Sequence, residues 1–103
     1  KKKIRLLDLD TPEISKPKCN AELELGIKAR NYLNNLIANA SIIEFKTEYL
    51  EDYFGRILSY LIIDGEDASS KIIKNQLGVV YNRKQKYDWC QDLSVNETTK
   101  YTE

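Results

Sequence analysis

A chain of 103 residues has room for one domain with a modest core and too little for two. Sixteen lysines and arginines balance sixteen aspartates and glutamates, so no overall field draws the chain to nucleic acid or to a membrane, and any phosphate binding has to be local. Hydrophobic residues make up 42% of the chain, ordinary for a folded soluble domain, and no run nears the roughly 18 apolar residues of a membrane span, so no membrane partner is expected.

Lys1-Lys2-Lys3 is a charge run of the kind that marks a solvated strand entry or the edge of a trimmed chain, and it carries no functional weight. Ile4 to Leu9 reads as a short strand that carries Arg5 and delivers Asp8, Asp10 and Thr11 into a turn. Pro12 fixes its own φ near about −65° and biases Thr11 toward an extended backbone, so the carboxylates of Asp10 and Glu13 leave a stiff corner. The same residue types also serve a plain turn or the start of a helix. Ile14 to Asn20 is a polar loop containing Pro17. Asn20 reads as an N-cap, Glu22 and Glu24 suit the helix dipole, and Leu25, Ala29, Tyr32, Leu33, Leu36 and Ile37 repeat at helical spacing up to about Asn39.

Ser41 to Tyr49 alternates, with Ile43, Phe45, Thr47 and Tyr49 on one face, which predicts a half-buried strand. Leu50 to Gly55 turns the chain, and Arg56 to Ile63 is a more apolar strand ending in the tight-turn pair Asp64-Gly65. Asp67 is placed to cap a short helix bearing Ile72, Ile73 and Leu77, with Gly78 as its C′ residue. After Val79-Val80-Tyr81 the pattern fades. Asn82 to Asp88 is polar and basic, Trp89 offers an apolar anchor, and Gln91 to Glu103 has almost no apolar content. The expectation is one domain over residues 1–90 and a flexible tail over 91–103. Cys19 and Cys90 lack C-x-x-C spacing and the chain has no histidine, which argues against zinc; a disulfide and two free thiols both remain open.

Two stretches carry chemistry: Arg5-Leu6-Leu7-Asp8-Leu9-Asp10-Thr11-Pro12-Glu13, and Asp52-Tyr53-Phe54-Gly55-Arg56 at the head of the apolar strand. Together they resemble the staphylococcal-nuclease-like (thermonuclease) family, whose patterns read R-L-x-x-x-D-x-P-E and D-x-Y-G-R, over about Ile4 to Cys90. Cys19 followed by Ala21-Glu22, and the ending from Tyr81 to Trp89-Cys90, resemble a short bacterial branch that lacks the long C-terminal helix. The fold implied is α+β, an OB-fold five-stranded β-barrel with helices. The elements here would be its third strand, first helix, last two strands and second helix, and its first two strands have no counterpart in this chain. A barrel without that hairpin leaves open edges. The expectation is that the native protein supplies the hairpin or that a neighbouring molecule fills the gap.

The resemblance implies a calcium-dependent nuclease of low sequence specificity, cleaving DNA or RNA on the 5′-oxygen side to leave 3′-phosphates. It places Glu13 at the general-base position and Arg5 and Arg56 at two phosphate-gripping positions, where a planar, always-charged guanidinium fork suits the work. Taken singly, Arg5 would be a strand residue paired to a nearby carboxylate and Arg56 a surface residue at a turn. Asp10 matches a calcium-ligating aspartate and Thr11 the donor of a backbone carbonyl. The family's further aspartate belongs to a D-G-D-T-type stretch without counterpart here, for which Asp8 is a substitute unless it simply faces solvent. Phe54 stands at a family tyrosine, with Tyr53 as a neighbouring hydroxyl. Tyr81 falls near a base-stacking tyrosine and reads equally as a core or rim aromatic. The implied partner is single-stranded or locally open DNA, or RNA, for a monomer or strand-swapped dimer in a secreted or periplasmic setting. The competing reading is a non-catalytic OB-fold module that binds single-stranded nucleic acid or a protein. Glu13 beside two such arginines argues against it, since a binder has no use for a base.

Overall fold

The computed structural model describes residues 3–49 and 55–90. Along these the elements are β1 (Lys3–Leu6), α1 (Asn20–Ala38), β2 (Ile43–Tyr49), β3 (Arg56–Ile63), β4 (Glu66–Asp67) and α2 (Ala68–Lys74). The apolar run of β3 makes it the strand on which the others pair, giving the order β1-β3-β2 with β4 also on β3. β1 lies parallel to β3, Lys3 opposite Arg56 and Arg5 opposite Leu58. β2 lies antiparallel, Ile43 opposite Ile63 and Phe45 opposite Leu61. The two-residue period of strands then divides the sheet. Leu6, Leu61 and Ile63 share the face that packs with Ala68, Leu33, Leu36 and Ala40. Arg5, Arg56 and Leu58 share the other face.

The architecture is a mixed α+β one, with an open sheet of four strands among the described residues. β2 lies at one edge of that sheet. Its alternation correctly marks which face is apolar, yet Phe45 is 54% exposed and Ile43 is exposed too. Alternation names a face, whereas burial needs a second layer over it, and no element of the described residues supplies one for β2.

β1 stops at Leu6 instead of running to Leu9, because Asp8 adopts a φ of 60°. Aspartate tolerates this left-handed conformation better than most residues and so turns the chain. Arg5 Nη1 donates to the carbonyls of Leu6 (3.2 Å) and Leu9 (2.7 Å), clasping that turn. Strand alternation therefore does not reach Asp10: Asp8 is exposed and Asp10 is buried.

The cap of α1 is Cys19, whose Sγ accepts from Glu22 N at 3.4 Å, and Asn20 is the first helical residue. Asp67 caps α2 as its position predicts, accepting from Ser70 N at 3.1 Å. That helix ends two residues early, with Gln76 at φ 62° taking the left-handed position assigned to Gly78. Gly78 serves close approach instead. A Cβ there would lie 2.8 Å from Leu9 Cδ1 and 3.2 Å from the Asp10 carbonyl. Asp64 and Gly65 both have positive φ, the tight turn that joins β3 to β4.

Trp89 is buried and fixes the end of the described chain. The proposed tail over 91–103 and the Asp52-Tyr53-Phe54 positions lie outside the described residues. No helix among the described residues is long and apolar enough to cross a membrane.

Cys19 and Cys90 are joined in a disulfide across 71 residues of sequence, which resolves the open choice between pairing and free thiols. Closing a loop of that length restricts the unfolded chain by about 4 kcal/mol in the chain-entropy account, and measured losses on removing native disulfides run at about 2–5 kcal/mol. Urea titration of the protein with and without reductant should show a stability loss of that order. An unchanged midpoint on full reduction would mean that the bridge adds nothing.

Candidate active site

A short backbone ladder assembles the site from distant segments. Leu7 N donates to the Ser59 carbonyl (3.0 Å), and Asp10 and Val79 exchange both of their backbone hydrogen bonds (2.8 and 2.9 Å). Tyr81 N donates to the Asp8 carbonyl at 3.4 Å. Pairing residues 8–10 with 79–81 in this way brings the Tyr81 ring beside Arg5, whose guanidinium carbon sits 5.2 Å from the ring centroid. That separation allows a cation–π contact.

On the sheet face away from the core, Arg5 and Arg56 open into one cleft of about 540 Å³. Its walls also include Asp8, Leu58, Tyr81 and Arg83. Among the described residues its lining carries three arginines and one aspartate. The Asp8 carboxylate accepts a hydrogen bond from the Tyr60 hydroxyl at 3.0 Å. That bond, and then the charge of the carboxylate, raise the Tyr60 phenol above its ordinary range. Although the whole chain is electrically balanced, the described lining of this cleft holds more arginines than acidic residues.

Glu13 is not among the residues lining the cleft. It belongs to the corner that follows Asp10, and α1 fixes that corner. The Glu22 carboxylate, 3% exposed, accepts from Glu13 N (3.0 Å, Oε2) and from Lys18 N (2.8 Å, Oε1). One turn on, Gly26 lets the helix come close. A Cβ at Gly26 would lie 2.9 Å from Ile14 Cγ1 and 3.0 Å from the Pro12 carbonyl. Glu22 and Gly26 are four residues apart and therefore on one helix face, turned to the loop that carries Glu13. Pro12 is buried, with its carbonyl facing Gly26, and its fixed φ keeps that corner stiff.

Asp10 is 6% exposed, and its Oδ1 lies 3.5 Å from Lys86 Nζ. Thr11 follows it, half-buried. A calcium ion takes six to eight oxygens. One carboxylate already facing an ammonium and one carbonyl fall short of that, and the described residues hold no group of three or more acidic, histidine or cysteine side chains that could enclose a metal. The donors present do not by themselves fit calcium.

Of the residues singled out in the sequence, the structure therefore gathers Arg5, Arg56 and Tyr81 in the cleft and sets Asp10, Thr11 and Glu13 on the adjoining corner. Three further residues bear on the site: Glu22, which sequence position marks only as favourable to a helix dipole, and Arg83 and Lys86, which sit in a stretch with no pattern beyond its charge. The spacing Glu22-x-x-x-Gly26 was the one readable sign of a helix face meant for close backbone contact.

The family model for staphylococcal nuclease homologues matches residues 3–100. The chain belongs to this family. A staphylococcal nuclease homologue is built on the OB-fold and comes from a family of nucleases and nucleic-acid-binding domains, which agrees with a cationic cleft made by the two arginines of its signature stretches.

Replacing Glu22 with Gln keeps the shape and turns one acceptor oxygen into a donor facing a backbone N–H. A buried donor left without its partner costs about 1–3 kcal/mol. The variant should unfold at lower urea by that margin, and amide exchange should accelerate at Glu13 and Lys18 more than in β3. Equal exchange at those two amides in both proteins would show that Glu22 does not hold the loop.

Proposed function

We propose that this staphylococcal nuclease homologue hydrolyses phosphodiester bonds in single-stranded or locally open DNA, or in RNA, with low sequence specificity. The observation that carries the proposal is the convergence of Arg5 and Arg56, from two strands 51 positions apart in sequence, on one face and in one cleft. Guanidinium groups donate paired hydrogen bonds to phosphate oxygens and keep their charge at every relevant pH. Held between them, the phosphoryl group has its developing negative charge stabilised where it forms. In this reading Glu13 takes the proton of a water whose oxygen attacks phosphorus. The bond from phosphorus to the 5′-oxygen breaks, that oxygen takes a proton from solvent, and a 3′-phosphate remains. Phosphate contacts carry no base information and stacking on Tyr81 accepts any base, which accounts for low specificity.

Calcium enters the proposal from the family, with Asp10 and the Thr11 carbonyl as the donors offered. Because those two do not complete a hard cation's shell, no step above runs through the ion. The Cys19–Cys90 disulfide supports a secreted or periplasmic setting, where such bonds persist. β2 is an edge strand of the described sheet and its apolar face is exposed, which supports further chain, from this protein or a second copy, pairing with that edge and covering that face.

A second reading, a non-catalytic OB-fold module, is favoured by one observation: Glu13 does not line the arginine cleft. Cleavage of a fluorescent single-stranded DNA, with calcium and with chelator, separates the two. The nuclease reading predicts calcium-dependent cleavage that falls at least about a hundredfold in Glu13→Gln, the scale of a lost general base. DNA binding with no cleavage by the unaltered protein would establish the module instead.

A further inference from the structure

Lys86 stands in the stretch from Asn82 to Asp88, which reads as a polar and basic connection with no motif of its own. The fold nevertheless sets its Nζ 3.5 Å from Oδ1 of Asp10, the carboxylate that the family resemblance offers to calcium. We propose that Lys86 is a tethered counter-cation that competes with a divalent cation for Asp10, so that the loop bearing Lys86 sets how readily this chain takes the ion. The inference rests on the proposed function only for the choice of calcium as the probe, since the competition does not depend on cleavage.

Burial is the first argument. Asp10 is 6% exposed, and a carboxylate so enclosed holds its charge at high cost unless a cation or hydrogen-bond donors answer it. Here a side chain of the same protein gives that answer. Calcium sits about 2.3–2.6 Å from its oxygen ligands. An ion that close to Oδ1 and an ammonium 3.5 Å from the same oxygen repel across a short gap, so one tends to expel the other. The misfit of this corner to calcium thus has a cause beyond the count of oxygens.

Tethering is the second argument. On one side of Lys86 the chain is anchored where Asp10 and Val79 exchange backbone hydrogen bonds and Tyr81 N donates to the Asp8 carbonyl. On the other side Tyr87 packs edge-on against the buried Trp89, with ring centroids 4.6 Å apart, and Cys90 is bridged to Cys19. A charge on a loop closed at both ends competes at an effective concentration on the order of millimolar or above. The competitor is also displaceable. The Lys86 side chain is 52% exposed, so the ammonium can leave Asp10 for water, and ion pairs open to solvent hold weakly. Lys86 therefore raises the calcium concentration needed to load the corner without closing the corner to the ion.

The test measures calcium binding to the full chain by titration calorimetry, in the unaltered protein, in Lys86→Gln, in Lys86→Arg, and in Lys86→Gln combined with Asp10→Asn. Emission of Trp89, the single tryptophan, checks that each variant keeps the fold. The expected result is calcium affinity at least about fivefold higher in Lys86→Gln, the low end of coupling between two sites, and within about twofold of the unaltered protein in Lys86→Arg, with the gain abolished by Asp10→Asn. Equal affinity in the unaltered protein and Lys86→Gln, absence of binding in both included, overturns the proposal and leaves Lys86 as a solvated charge. A gain that survives Asp10→Asn also overturns it, because the ion would then sit elsewhere. If Lys86→Gln does not fold, the unaltered protein decides by carbon NMR: the Lys86 Cε and Asp10 Cγ signals should move with one calcium midpoint, and a Lys86 signal that stays still while Asp10 moves overturns the competition. Cleavage is not read at any point, so failure of the nuclease reading and failure of this inference are separate results.

Discussion

A buried carboxylate holds the working corner of this molecule. Glu22 spends both oxygens on backbone amides, those of Glu13 and Lys18, from a helix position where only the missing side chain of Gly26 allows the loop so near. A charge sealed at 3% exposure is tolerated because both oxygens are satisfied, and loss of either amide would leave a costly orphan. The loop conformation that presents Glu13 is therefore tied to the packing of α1. The same helix start is bridged through Cys19 to Cys90, so the C-terminal segment with Arg83 and Lys86 is tied to that point too. The Glu13 corner, the segment bearing Arg83 and Lys86, and the disulfide form one mechanical unit.

The sheet performs the complementary task. Parallel register sets Arg5 level with Leu58 and Lys3 level with Arg56, which puts the two arginines on one face of adjacent strands. Arg5 also clasps the carbonyls of its own turn, so part of its donor capacity is structural and its guanidinium is pre-positioned. Rigid placement of charge matters here because the chain as a whole carries none in excess. Attraction for a polyanion must come from a few groups held close together, such as the arginines that line this cleft.

Much of the frame was legible because it is locally encoded. The apolar run Arg56 to Ile63, the Asp64-Gly65 turn and the Asp67 cap each declare themselves within a few residues, and each holds in the structure. The two arginines of the cleft were readable through the signature stretches. What was hidden depends on partners far away in sequence. Nothing local says that Asp8 takes a left-handed backbone and ends β1, or that Gly78 is needed beside Leu9 instead of at a helix end. β2 shows the limit in another way: its alternation is correct and its burial is not, since the covering layer lies outside the strand's own pattern. Glu22 and Arg83 look like surface charges until the fold places one beneath a loop and the other in a cleft.

The claim on which the account turns is that a nucleic-acid strand lies across the arginine cleft. Backbone amide shifts recorded while a thymidine dinucleotide is titrated into the Glu13→Gln protein test it most directly. The shifts should cluster at Arg5, Asp8, Arg56, Tyr81 and Arg83. Shifts gathered instead at the separate pocket lined by Tyr32, Asn35, Asp64 and Lys71, with the arginine cleft silent, would contradict it.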